Sequence, residues 1–196
     1  MIYNDEWAFI HIPRTGGTSL KISAPTAINP IEEENVLAQI YQHQPYHHWQ
    51  KQIDLSNKTV FSIVRNPYKR AISLWLFCTQ SHPIISAHLK GTSLRDFWDI
   101  DVEKLVPTMR YNMRTTQCEF LTGLGGELVD TVFRIEDGLE PIKHRLGIQL
   151  KRKANALPSY SYMTYYTQET YDMITDMFGE DFDQFGYEKL KWNAVL

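Results

Sequence analysis

Two segments do most to limit what this chain can fold into. Thr59 to Val64 (TVFSIV) is a nearly continuous apolar run without polar alternation. That is the pattern of a strand covered on both faces, as strands of parallel sheets are. Asn66 and Pro67 follow at once, reading as a helix N-cap and a first-turn proline. The same order occurs near the start. Trp7 to Ile12 (WAFIHI) reads as a buried strand ended by Pro13, and Thr18 to about Ala24 as a short helix stopped by Pro25. A third run, DTVFRIED at 130–137, reads as a strand followed by a helix from about Gly138 to Leu146. Strands alternating with helices imply an α/β fold, a three-layer sandwich with a central, mainly parallel sheet flanked by helices. The chain has 196 residues and is 43% hydrophobic. That is enough apolar material for one core, so a single domain over residues 1–196 is expected.

The remaining segments are read more coarsely. Residues 25–31 read as loop, and Glu32 to His43 as a helix with three glutamates in its first turn, where the helix dipole favours anions. The helix opened by Asn66 is expected to run to about Gln80. Shorter helices are expected over 93–100 and 107–122, and GLGG at 123–126 reads as a turn. The segment around LKRKAN (150–155) shows no period and reads as loop. Gln168 to Phe178 reads as a helix with Gly179 at its stop.

In parallel sheets ligands sit at the carboxyl ends of strands. Pro13 to Ser19 and Arg65 to Ser73 both begin at such an end and are expected to face one crevice. In the first loop, PRTGGTS, Gly16 and Gly17 can take positive φ and let backbone approach an anion. The amides of 16–19 would point outward at a helix start. Thr15, Thr18 and Ser19 add hydroxyls, and Arg14 adds a fixed charge. The pattern is P-loop-like, although the Gly-x-x-x-x-Gly-Lys-Ser/Thr order of nucleotide triphosphatases is absent. In the second segment, Arg65 leaves the strand, while Arg70 and Ser73 lie three apart on one helix face. Arg65 and Ser73 could present a guanidinium fork and a hydroxyl to a second anion. Each motif also has a plainer reading: a strand-turn-helix connection with a surface arginine, and a capped helix with solvated basic residues.

Taken together, PRTGGTS followed by VRNPYKRAIS resembles the two cofactor motifs of sulfotransferases that use 3′-phosphoadenosine 5′-phosphosulfate (PAPS). The similarity is to the carbohydrate branch that includes heparan sulfate 2-O-sulfotransferase. The C-terminal YYTQETYDMITDMFGEDFDQFGYE resembles the tail of that family. The resemblance implies that Arg14, Thr15, Gly16, Gly17, Thr18 and Ser19 hold the 5′-phosphosulfate. It also implies that Arg65 and Ser73 read the 3′-phosphate. Sulfuryl transfer to an acceptor hydroxyl would leave 3′,5′-ADP (PAP). The acceptor would be a glycan or another small hydroxyl compound. The family usually has lysine where this chain has Arg14, which keeps the charge in a bulkier, planar form. The basic cluster at 150–155 reads most simply as a solvated charge run; its placement, like that of the family's closing loop, implies as the alternative that Arg152 or Lys153 touches the 3′-phosphate.

In-line transfer also needs a general base. Histidine suits proton transfer near neutrality, and a histidine from this chain region does that work in the family. His47 and His48 (YHHWQ) are therefore the candidates, with His47 preferred and a packed surface pair as the plainer alternative. His11 reads as a satisfied core group inside the first strand. His43, His82, His88 and His144 show no companions, and no spacing points to a metal. Tyr160, Tyr162, Tyr165 and Tyr166 read mainly as packing residues.

The formal net charge of −3 gives no whole-molecule attraction to nucleic acid or anionic membrane. Cys78 and Cys118 are too far apart in sequence for a metal motif and read as reduced thiols. No apolar stretch approaches the roughly 20 residues of a membrane span, and no leader pattern is present, so a cytoplasmic protein is expected. Two rival readings share the cradle. One is an ATP-using kinase of P-loop type, which would need a lysine after the second glycine, where Thr18 stands. The other is a non-catalytic nucleotide-binding module.

Overall fold

The computed structural model describes residues 1–24, 27, 43–82, 85–100, 113–138, 140–148, 162–189 and 192. The chain gathers into two compact units. The first comprises 1–65 and 115–154, and the second 66–114 and 155–196.

The first unit contains an α/β layer with a four-stranded sheet in the order β1-β2-β3-β4. Its strands are β1 (Ile2–Tyr3), β2 (Trp7–Ile10), β3 (Thr59–Val64) and β4 (Thr131–Arg134). β1 is antiparallel to β2, with Ile2 opposite Phe9. β2, β3 and β4 run parallel, with Ile10 opposite Ser62 and Val64 opposite Arg134. The mainly parallel sheet anticipated from the apolar runs is present, and β3 has the bounds its sequence implied.

One apolar cluster joins Trp7 and Phe9 of β2, Phe61 and Ile63 of β3 and Phe133 of β4. Leu20 of α1 (Gly17–Ser23), Ile142 of α7 (Glu140–Leu146) and Ile148 pack into it. Alternate residues of each strand therefore face one pair of helices, as the period of two demands. Between them in sequence lie α2 (Tyr46–Trp49) and α6 (Gln117–Leu121). α2 had not been anticipated, since four residues are too few for a helical period to register in sequence. Of the helix expected over 107–122 only α6 and a helical residue at Met113 lie among the described residues. Most of the expected helix at Glu32 to His43, and residues 150–161, lie outside them.

The described part of the second unit is helical. It contains α3 (Pro67–Leu76), α4 (Ile85–Leu89), α5 (Leu94–Asp99), α8 (Gln168–Met177) and α9 (Gly179–Gln184). Asn66 caps α3 as expected, its side chain accepting from the Lys69 amide at 3.3 Å with Pro67 at the first turn. α3 ends at Leu76 and continues to Ser81 as a π-helical turn. The Tyr68 ring is fully buried, stacked on Tyr171 at 4.4 Å and edge-on to Tyr166. The Tyr166 hydroxyl donates to the Tyr68 carbonyl at 2.8 Å. Arg70 is also buried, its guanidinium 5.6 Å above the Phe178 ring. Burial lowers its pKa to about 10 despite the opposing pull of Asp181. Gly179 follows the Phe178 C-cap at the end of α8, as expected of a helix stop, and also opens α9. No left-handed residue is needed there, because Phe178 makes the bend at φ −114°.

Among the described residues no helix is long and apolar enough to cross a membrane. Replacing Asn66 with Ala removes the α3 cap. The expected cost is about 0.5–2 kcal/mol, read as a lower urea midpoint, and Asn66→Asp should retain most of the stability.

Candidate functional site

The parallel register brings the carboxyl ends of β2, β3 and β4 level, and the first loop crosses those ends. Pro13 follows β2, Arg14 takes a left-handed conformation at φ 67°, and Gly16 another at φ 98° before α1 begins. Positive φ is disfavoured for a bulky residue such as arginine. The surrounding contacts show what holds it. Arg65, just past β3, donates from Nη1 to the Arg14 carbonyl at 3.2 Å. Thr15 is fully buried and its hydroxyl donates to the Ile12 carbonyl at 3.0 Å. At Gly16 an added Cβ would lie 3.0 Å from Cδ1 of Ile135, just past β4. All three parallel strands therefore reach the loop.

Gly17 has a different reason to be glycine. A Cβ there would lie 2.6 Å from Cε1 of His11 and closer still to Nε2 and Cδ2. The space beside Gly17 is filled by an imidazole. His11 stands just after β2 rather than inside it. Its ring lies 4.2 Å from that of His43, whose Nδ1 donates to the His11 carbonyl at 3.0 Å. A carbonyl can only accept, so Nδ1 carries the proton and Nε2 of a neutral His43 is the acceptor. The His11–His43 pair was not visible in sequence, because its members stand 32 positions apart.

The remaining expected residues of the first unit distribute as follows. Thr18 is exposed and Ser19 half-buried, both in the first turn of α1, where no preceding turn supplies carbonyls to the amides. The Ser19 amide turns back to the Gly16 carbonyl at 2.9 Å. No side chain caps this helix. His47 and His48 lie on α2, both partly exposed. His48 Nε2 accepts from the Gln52 amide nitrogen at 3.0 Å, and its ring meets Trp49 edge-on. Burial, then the neighbouring His47, lowers its pKa below the ordinary value.

In the second unit, Ser73 lies in α3 and is buried, as is Arg70 one turn earlier. They share a face as the spacing required, and in this unit that face is enclosed. Arg152 and Lys153 lie outside the described residues.

Two residues at the strand ends escaped the sequence reading. Gln117, fully buried at the start of α6, pairs with the main chain of Arg65 in both directions. Its Oε1 accepts from the Arg65 amide and its Nε2 donates to the Arg65 carbonyl, each at 2.9 Å. The side chain thus continues the β3 ladder by one residue and fixes the stem of the Arg65 guanidinium. Arg134 is the second. It closes β4 beside Val64 and lies 3.7 Å from the Asp137 carboxylate. The local signal at Gln117 was Thr116 with Glu119, a helix-capping pair; the Thr116 hydroxyl does accept from the Glu119 amide at 3.0 Å. Among the described residues no group of three His, Cys, Asp or Glu side chains is arranged to hold a metal.

Gln117→Leu takes from the part-buried Arg65 amide and carbonyl the bonds that Gln117 makes to them. The expected loss is about 1–3 kcal/mol, measured by chemical denaturation, with Gln117→Glu milder than Gln117→Leu because Oε1 survives.

Compared with known proteins, the chain matches no family model, no curated protein and no solved structure.

Proposed function

We propose that this chain is a PAPS-dependent sulfotransferase built on a P-loop-like three-layer sandwich, moving a sulfuryl group to the hydroxyl of a glycan or other small acceptor. The observation that carries the reading is the Arg65 guanidinium at 3.2 Å from the Arg14 carbonyl. Two arginines at the ends of adjacent parallel strands form the cationic start of an anion site. The α1 amides of Gly17 and Thr18 add donors of the right polarity. The glycines contribute less than their spacing implied. Gly16 is accounted for by its positive φ and Gly17 by the His11 ring.

In this reading Arg14, Gly16, Gly17, Thr18 and Ser19 surround the 5′-phosphosulfate, and Arg65 reads the 3′-phosphate. Thr15 shapes the loop through its bond to Ile12. Arg152 and Lys153 remain candidates for closing over the nucleotide. The acceptor oxygen attacks sulfur, and the bond from sulfur to the bridging phosphate oxygen breaks. A histidine takes the hydroxyl proton, and PAP leaves with its new negative charge met by Arg14. Positioning and charge neutralisation supply most of the acceleration.

Three histidines compete for the base. His43 is tied to the loop through His11, which favours it. His47 and His48 lie a few residues further on, and His48 Nε2 is engaged by Gln52. Alanine at the base should lower turnover by roughly 10²–10⁴-fold with PAP affinity retained, and alanine at the other two should do far less. The single variants, assayed with labelled PAPS and an acceptor panel, identify it. If all three single variants and the triple variant turn over normally, the proposed mechanism is wrong.

The donor is tested first, by thermal shift without magnesium. PAP should stabilise the protein more than 5′-ADP or ATP. Arg65→Ala should weaken PAP binding by about 1.5–3 kcal/mol and leave 5′-ADP little changed. Equal stabilisation by ATP and PAP would favour the kinase reading instead. PAP binding without turnover of any acceptor would favour the binding module.

A further inference from the structure

We propose that His11 is the positioning residue of the Pro13–Ser19 loop, seated beneath Gly17 as a neutral imidazole, and that protonating it releases the loop. The proposal stands on the loop geometry and on the basic groups around the ring, and does not require that the loop hold a phosphosulfate.

His11 is the first residue beyond β2, so its backbone belongs to the sheet edge while its ring reaches the start of α1. The ring occupies the volume a Cβ at position 17 would need. Phe9 lies 5.6 Å away on one side, at an interplanar angle of 32°. His43 lies 4.2 Å away at 58° and also holds the His11 carbonyl through Nδ1. The wedge therefore has a fixed base, two ring neighbours and the loop backbone above it. Glycine is the one residue at position 17 that leaves room for it.

The charged surroundings make the ring's protonation state matter. The titratable groups acting on it are His43, the Met1 amino group, Lys21 of α1 and Arg14 of the loop. Lys21 and Arg14 are the fixed cations among them, since burial lowers the Met1 amino group to about 4. A proton on His11 would add a third positive charge beside these two in a half-buried space. Burial first, then these groups, hold its pKa well below the ordinary histidine value. The unfolded or released ring has a pKa near about 6.5. A group whose native pKa is depressed in this way favours the seated state above the unfolded value. It progressively disfavours that state as pH falls below it. Acidification should therefore free the ring and loosen residues 13–19, while β3, which carries no histidine, keeps its protection.

The decisive measurement is hydrogen–deuterium exchange of the intact chain at pH 7.5 and pH 5, corrected for the intrinsic pH dependence of exchange. In the wild type the amides of Ser19 and Leu20, both bonded to the Gly16 carbonyl, should lose protection by about tenfold or more, the effect of one pKa unit between seated and released rings. β3 amides should not change. His11→Asn cannot take up a proton, so its loop protection should be the same at both pH values. A cycle with Gly17→Ala adds a steric readout. That substitution should lower the melting temperature of the wild type and have little effect in a His11→Ala background. Loop protection independent of pH in the wild type overturns the proposal. So does a Gly17→Ala penalty of equal size in both backgrounds. Should the His11 variants fail to fold, NMR titration of the wild-type His11 ring decides alone. An ordinary pKa with no accompanying shift of the Gly16 and Gly17 amides overturns the proposal. A depressed pKa with those amides moving in step supports it.

Discussion

The parallel register of β2, β3 and β4 is the constraint on which the candidate site depends. Ile10 opposite Ser62, and Val64 opposite Arg134, bring three strand ends to one level. That is why residues far apart in sequence converge on the first loop: His11 after β2, Arg65 after β3 and Ile135 after β4. A slip of one residue would invert the faces of a strand. It would carry Phe61 and Ile63 out of the apolar cluster and turn the Arg65 stem away from Arg14. The core thus sets the register, and the register sets the loop.

The loop is not stable by local preference. Arg14 at φ 67° is in a region that non-glycine residues rarely occupy, and such conformations cost of order 1–3 kcal/mol. They persist where surrounding contacts over-determine them. Here those contacts come from four directions: Arg65 on the Arg14 carbonyl, Thr15 on the Ile12 carbonyl, Ile135 against Gly16, and His11 under Gly17. Gln117 supports the first of these by gripping the Arg65 main chain. A guanidinium carries five donors, so holding the Arg14 carbonyl is compatible with the proposed anion contact.

What the sequence made legible follows the range of the interactions involved. β3 and the Asn66–Pro67 helix start were readable because strand periodicity and capping are local. β2 was readable too, though two residues too long. The four-residue α2 was missed because it is shorter than the pattern that reveals helices, and α9, which follows the stop at Gly179 directly, went unread because a bend made by Phe178 leaves no compositional mark. Arg14 and Arg65 were singled out, and the structure joins them. Ser73 was singled out as an anion reader, and the structure encloses it in the second unit. The larger omissions are the long-range ones. Gln117 acts on a residue 52 positions away and the His11–His43 pair spans 32, so no window of sequence contains both members of either. His11 looked like strand because apolar residues flank it, and one residue of difference in the strand end converts a core histidine into a loop wedge.

The adjacent glycines carry a more general lesson about phosphate-like loops. Glycine is selected by backbone conformation, by room for a ligand, or by room for a neighbouring side chain. A sequence shows the residue and not the cause. In this loop the first cause accounts for Gly16, at φ 98°, and the third for Gly17, where the His11 ring stands. Neither requires an anion. The proposed anion site therefore draws on the arginines and the α1 amides rather than on the glycines. Arg14 in particular adopts a backbone conformation that glycine would take at lower cost, and the Arg65 guanidinium on its carbonyl is one of the contacts that hold it there.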